Sequence, residues 1–402
     1  MSAPDGARFR ALAAACQEVT LPGTDPEVVA ALLGWTVRPR RSLEGLRRRL
    51  HEVGVPPEQA PAQLRAAALT GLAQVDVDDL VAAGDLVAAW RARGCQLAVV
   101  GDPAYPARLA EGWPTTDGPV LLVARGAVPP TVPTVAIVGS RRATAYGASV
   151  AAWLAGAAAA AGAHVVSGGA LGIDAAAHRA AIGHPGRTTV VLGCGHAVDY
   201  PRPHARTGGL FEAVLADGGG VVAEQLPWTP PRAGVVRARN RIVAALADVV
   251  VVVEGGARSG ALLTATAALE RDRVLLAVPG DVRAPGSVAP LRLLEEGAGL
   301  CTGPQDLLAR LPDLAGARPP GPAGATDPAG LPGAAGSVGS VLPEPLHRCL
   351  ADAWPRPVRT DTLLGAAGLA PGVVLAGLTR ARVAGEVAER HDGWVLRRAP
   401  VT

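Results

Sequence analysis

Between Thr134 and Gly280 the hydrophobic pattern repeats itself. A run of small and β-branched apolar residues is followed by a Gly-rich turn and then by a helical stretch. VAIVGSRRA (135–143), VVSGGALGID (165–174), VVLGCGHAVDYP (190–201), DVVVVVEGGARSGALLTA (248–265) and VLLAVPGD (274–281) all carry it. These runs lack polar alternation, so each predicts a strand buried on both faces: a parallel sheet sandwiched by helices, α/β in class. Ligands of such sheets bind at the carboxyl ends of the strands, and here those ends carry Gly, Ser, Arg and Asn, residues suited to phosphates. From Gly147 to Ile173 there is no Asp, Glu, Lys or Arg. This stretch reads as a helix running into a strand and its Gly turn, a buried unit rather than a membrane span.

The flanking pattern divides the chain. Residues 1–92 are helical and polar-capped, with Pro26 and Glu27 placed to open one helix and Arg47, Arg48 and Arg49 in another. The Pro-punctuated stretch 101–126 leads into the sheet, and 93–312 is expected to form the sheet domain. Residues 316–340 contain almost no large apolar side chain, so 313–340 is expected to be a flexible linker. In 341–402, Leu346, Leu350, Leu363, Leu364, Val374, Leu375 and Leu378 have helical spacing, and Val387–Leu396 reads as strand, Asp-Gly turn, strand. Helices followed by a hairpin outline a winged helix, a fold that meets DNA in some proteins and protein in others.

Charge and cysteine usage narrow the chemistry. The formal net charge is only +3 over 402 residues, which is no polyanion signature. There is no Lys, so any anion site must use the planar guanidinium fork or backbone N–H groups. Cys16, Cys95, Cys194, Cys301 and Cys349 form no C-x-x-C pair, which argues against a zinc site or disulfide framework. No signal-peptide pattern opens the chain, and a cytoplasmic setting is expected.

Four turns carry candidate chemistry. In VAIVGSRRATAYG, Ser140, Arg141 and Arg142 precede a helix whose N-terminus favours an anion, with Arg141 as a bidentate donor. The spacing is not G-x-G-x-x-G, so a dinucleotide site is weakly supported and no cofactor is expected. In SGGALGIDAAAH (167–178), three Gly in six residues allow close backbone approach to a ligand. Asp174 and His178 there fit a helix cap with a buried histidine, or an acid–base or metal pair. RARNRIVAAL (237–246) offers Arg239, Asn240 and Arg241 to phosphates and a base edge. EGGARSGALLTATAALE (254–270) puts Ser259, Gly260 and Thr264 at a further helix start. Glu254 beside a phosphate is repulsive unless paired, and Arg239 or Arg241 is the expected partner.

In this order the motifs resemble the DNA-processing protein A (DprA/Smf) family. They run DPAYPARL (102–109), VGSR (138–141), YG (146–147), SGGALGIDAAAH (167–178), VLGCG (191–195), YP (200–201) and AEQ (223–225). RNRIVAAL (239–246), VVEGGARSGALLTA (252–265), AVPG (277–280), GS (286–287) and LLEEGA (293–298) complete the series. The resemblance covers about 95–312, and 341–402 resembles the family's winged-helix end. It implies an extended Rossmann-like, doubly wound, mostly parallel sheet between a helical, SAM-like N-terminal domain and a winged helix. It also implies single-stranded DNA binding without covalent chemistry, loading of the RecA recombinase during natural transformation, and a homodimer. Carried over, the DNA-binding candidates are Arg141, Ser167, Gly168, Arg239, Asn240 and Arg241, with Arg187 as a further basic position. Ser259 and Gly260 join them from the last Gly-rich turn.

The chain departs from the family's pattern in places. Leu171 stands where a basic or polar residue is usual, and Val235 and Val236 occupy a region where an aromatic is common. Losing a stacking ring shifts binding toward phosphates and salt sensitivity. Two other functions fit the same frame. One is a Rossmann-like nucleoside monophosphate phosphoribohydrolase, whose P-G-G-x-G-T-x-x-E motif is here E-G-G-A-R-S-G-A-L-L-T. The other is a winged-helix transcription regulator with a ligand-sensing sheet.

Overall fold

A computed structural model describes residues 3–38, 42–71, 76–312 and 314. Of the C-terminal stretch it describes 342–353, 357–366, 368–369, 373–374, 377–378, 381, 387–390 and 393–396. The expected linker 313–340 lies outside the described residues, Leu314 excepted. The chain forms two compact units, Met1–Ala323 and Gly324–Thr402.

The first unit is built on a nine-stranded sheet. Its strands are β1 (Cys95–Val99), β2 (Leu121–Gly126), β3 (Thr134–Val138), β4 (His164–Ser167), β5 (Thr188–Val191), β6 (Gly220–Ala223), β7 (Val249–Val252), β8 (Val274–Ala277) and β9 (Gly299–Leu300). They lie in the order β1-β2-β6-β5-β4-β3-β7-β8-β9. β1, β2 and β6 pair antiparallel, and all other neighbours are parallel. β3, β4, β5, β6 and β7 are buried along their whole length, as expected of strands covered on both faces.

Helices α1 (Ala3–Gln17), α2 (Pro26–Thr36), α3 (Leu43–Glu52), α4 (Ala60–Gly71) and α5 (Val77–Ala92) precede the sheet. Within it come α6 (Ala107–Ala110), α7 (Ala145–Ala160), α8 (Ile173–Ala181), α9 (Arg202–Ala205), α10 (Leu210–Ala216), α11 (Ala233–Leu246), α12 (Gly260–Leu269), α13 (Val288–Glu295) and α14 (Pro304–Leu308). The strand period of two sorts the central residues between faces. Val135, Ile137, Val249 and Val251 face the layer of α7, α8 and α14, whereas Ala136, Val138, Val250 and Val252 face that of α11 and α12. Pro26 does open α2, with Asp25 Oδ1 accepting from Glu27 N at 2.9 Å. Such a cap contributes about 1 kcal/mol.

The boundary expected at residue 92 is not a break in packing. Leu32, Leu33, Leu64 and Trp90 belong to the same buried cluster as Leu97, Leu122 and Val252. Backbone bonds tie Leu97 to the preceding segment, Leu97 N to Val19 O at 2.7 Å and Leu21 N to Leu97 O at 2.9 Å. Arg47 Nη1 reaches Pro114 O at 2.7 Å, and Arg65 Nη1 reaches Asp102 Oδ1 at 2.8 Å. The apolar faces of α1–α5 are therefore covered in part by the sheet itself.

In the second unit, α15 (Glu344–Ala353) and α16 (Thr360–Ala366) pack with the antiparallel pair β10 (Val387–Arg390) and β11 (Gly393–Leu396) around Leu346, Leu350, Leu363, Leu378 and Trp394. The expected strand pair is present. Asp392 of its turn and much of the stretch expected to hold a third helix lie outside the described residues.

Candidate nucleic-acid interface

Chain direction places the site. From β3 the chain moves through α7 to β4 on one side, and it later returns through α11 to β7 on the other. The helices that follow β3 and β7 cover opposite faces of the sheet. A crevice must open at the carboxyl ends where the order reverses. A groove of about 1010 Å³ lies there, lined by Gly139, Ser140, Arg141, Gly168, Asn240 and Gly260 among others.

Two of the turns already hold a carboxylate of the chain's own. Glu254, at the end of β7, is buried and accepts from Thr144 N at 3.0 Å and from Thr144 Oγ1. Thr144 is the N-cap of α7 and accepts from Gly147 N at 3.1 Å. The anion seat expected at the start of this helix is thus filled from within. The expected pairing of Glu254 with Arg239 or Arg241 does not form, because β3 and β7 are neighbours (Val138 opposite Val252) and their turns meet first.

The second internal carboxylate is Asp174. It does not cap α8, whose N-cap is Gly172 at φ 80°. Instead Asp174 Oδ2 accepts from Gly168 N at 3.1 Å and Ala170 N at 3.2 Å, holding the Gly-rich turn. His178 points elsewhere: its Nδ1 meets Thr188 Oγ1 at 2.8 Å, and burial lowers its pKa to about 3. No group of His, Cys, Asp or Glu arranged to hold a metal occurs among the described residues.

Arg239 is the floor of the groove rather than a free cation. It is buried, and its Nη1 donates to the carbonyls of Gly168 and Val191, joining the ends of β4 and β5. A Cβ at Gly168 would lie 2.5 Å from the Arg239 Cζ, so only glycine lets the guanidinium pass. Desolvation dominates on both sides here. Burial raises the Asp174 carboxyl above its usual range against the pull of Arg239, and burial lowers Arg239 against the pull of Asp174.

Other predicted residues separate. Arg141 is exposed in the groove, with Nη1 3.4 Å from the Tyr200 hydroxyl. Asn240 donates to Gly260 O at 3.0 Å, and Ser259 caps α12, accepting from Ala261 N at 3.2 Å. Ser167 is fully buried and donates to Ile137 O at 2.6 Å, so its hydroxyl is not offered to a ligand. Arg241 lies two residues from Arg239, about 200° around the helix. It faces a separate cavity and pairs with Glu224 at 2.5 Å and Asp117 at 3.1 Å. Arg187 precedes β5, at the amino edge of the sheet, and donates to Gly162 O at 2.5 Å. The structure does not bring Arg187 to the row of strand-end turns.

The motif reading missed Arg237, Arg258 and Tyr200. All line the groove, and Arg237 and Arg258 are exposed. With Arg141 they are guanidinium groups that meet no carboxylate among the described residues. Arg237 is three residues before Asn240 and so neighbours it on α11, a signal the helical period does contain. Tyr200 also supplies an aromatic ring that the Val235 and Val236 positions do not.

Residues 96–312 match the family model described as DNA recombination-mediator protein A. A Mycobacterium tuberculosis protein that carries the DprA name is 40% identical over 268 residues, 66% of this chain. The chain spans 64% of the length of that relative. The DNA processing protein DprA of Bacillus subtilis is 33% identical over 232 residues, 57% of this chain and 75% of that protein. The X-ray structure of DNA processing protein A from Streptococcus pneumoniae superposes with a TM-score of 0.54 at 28% identity, covering 73% of this chain and 99% of that one. With more than half its length under that model and the same sheet behind its motifs, the chain belongs to the DNA recombination-mediator protein A family.

Proposed function

We propose that this protein binds single-stranded DNA in the groove at the carboxyl ends of β3, β4 and β7, without sequence preference and without a covalent step. It hands the strand to the RecA recombinase in the cytoplasm, as in natural transformation. The carrying observation is the convergence of Arg141, Arg237 and Arg258 on one open groove whose lining carboxylate among the described residues, Asp174, is held by the backbone amides of Gly168 and Ala170. Unpaired, exposed guanidinium groups spaced along a groove suit successive phosphates of one strand. The relative's name, DNA processing protein, and the family model's description, DNA recombination-mediator protein, support the same reading. Action as a homodimer and a winged helix at 341–402 are part of the proposal. No helix among the described residues is long and apolar enough to cross a membrane.

The nucleoside monophosphate hydrolase reading loses its support at two positions. Both carboxylates nearest the groove serve the fold's own turns, Asp174 by accepting from two backbone amides and Glu254 by accepting from the Thr144 amide and hydroxyl. The test of the proposal is a gel shift with Arg141→Ala at two salt concentrations. The variant should bind single strands of every sequence more weakly, with a salt slope shallower by about 0.7 for the lost phosphate. Unchanged affinity and slope would count against it, as would wild-type preference for duplex DNA.

A further inference from the structure

We propose that Tyr200 is a stacking platform for one unpaired base, and that this ring makes the groove prefer single strands. The inference rests on the reading of the groove as a strand-binding site. Tyr200 stands in the loop that leaves β5, next to Pro201 at the start of α9. The ring is half-buried and packs on the core cluster containing Leu192, Cys194 and Phe211, while also lining the groove. A ring held this way loses little freedom when a base settles on it.

The hydroxyl lies 3.4 Å from Arg141 Nη1, so a base on the ring would have a free guanidinium beside it for its own phosphate. The rest of the apolar lining is aliphatic, with Val236, Val243 and Leu262 prominent. Tyr200 is the one aromatic ring that lines the groove among the described residues. Aromatic residues make up only 3% of the chain, so a ring at this place is not background.

Stacking discriminates between strand states because every base has a π-face, but in a duplex that face is covered by its neighbours. Reaching it there requires unstacking and unpairing. The phosphates of either form satisfy the arginines, whereas only a single strand satisfies Tyr200 at no such cost.

The experiment measures fluorescence anisotropy of the full chain with an oligothymidine and with an abasic strand of the same length, at two salt concentrations. Wild type should bind oligothymidine about 5- to 150-fold more tightly than the abasic strand. Tyr200→Leu keeps the apolar volume and should bring the two affinities within about twofold; Tyr200→Phe should keep the gap. A wild-type ratio near one overturns the inference without any variant. A gap that survives in Tyr200→Leu overturns it too, as does its loss in Tyr200→Phe, which would assign the effect to the hydroxyl. If wild type binds neither strand in a salt-dependent way, the strand-binding reading itself fails. That result is distinct, since failure of the stacking inference leaves abasic binding intact.

Discussion

Two hollows flank α11, and both are rich in arginine. On one side lies the open groove of about 1010 Å³, with Arg141, Arg237 and Arg258. On the other lies a cavity of about 530 Å³ against the N-terminal helices, with Arg47 and Arg241. In the cavity each guanidinium is answered. Arg241 meets Glu224 and Asp117, and Arg47 meets Glu44 and the carbonyls of Pro114 and Thr116. In the groove the acids are answered instead, Asp174 and Glu254 by backbone amides and Glu254 also by a hydroxyl, and the exposed arginines are left over. The same residue type thus makes a structural joint on one side and stands exposed in an open groove on the other. What distinguishes them is which charges the fold leaves without a partner.

Arg239 provides the severest test of that division, because it lines the groove yet is placed here with the structural arginines. Arg239→Met leaves the Gly168 and Val191 carbonyls without their donor and removes the positive charge near Asp174. The expected cost is about 3 kcal/mol or more, read from urea midpoints. Unchanged stability with lost DNA affinity would make Arg239 a ligand contact and break the comparison. A smaller effect is expected on the cavity side. Arg241→Met leaves Glu224 without its cation, while Asp117 keeps Arg271. A loss of about 1–2 kcal/mol is expected, with affinity for single strands within about twofold of wild type. A large drop in affinity at full stability would show that the strand also enters the cavity.

How much of this was legible in the sequence depends on distance along the chain. The central strands were legible because Val135–Val138 and Val249–Val253 carry no polar residue, and only a doubly covered strand tolerates that. β1, β2 and β6 were not, since none of Cys95–Val99, Leu121–Gly126 and Gly220–Ala223 runs into the Gly-rich turn and helix that mark the repeated pattern. The separate duties of Arg239 and Arg241 were within reach, because two residues on a helix cannot share a face. The partner of Glu254 was not. Its bond to Thr144 depends on β7 lying beside β3, and strand order is a property of the whole sheet. For the same reason the apolar faces of α1–α5 announced a need for cover without naming β1 and β2 as part of it.

The smallest expected effect concerns Arg187, and it tests the comparison from outside both hollows. Arg187 is a basic residue within the matched region, but it enters β5 rather than leaving it. In a parallel sheet that difference is a whole strand length, and it puts the side chain at the edge opposite the groove. There it donates to Gly162 O at 2.5 Å, closing the turn between α7 and β4. Arg187→Ala should therefore cost about 1 kcal/mol of stability, as one partly exposed charged hydrogen bond would, and leave single-strand affinity within about twofold. Measured beside Arg141→Ala at the same two salt concentrations, the salt slope decides the matter. A slope that flattens for Arg141 and not for Arg187 confines the phosphates to the carboxyl edge. Equal flattening would mean that the strand wraps to the amino edge, and that position at a strand end is not what selects the binding arginines.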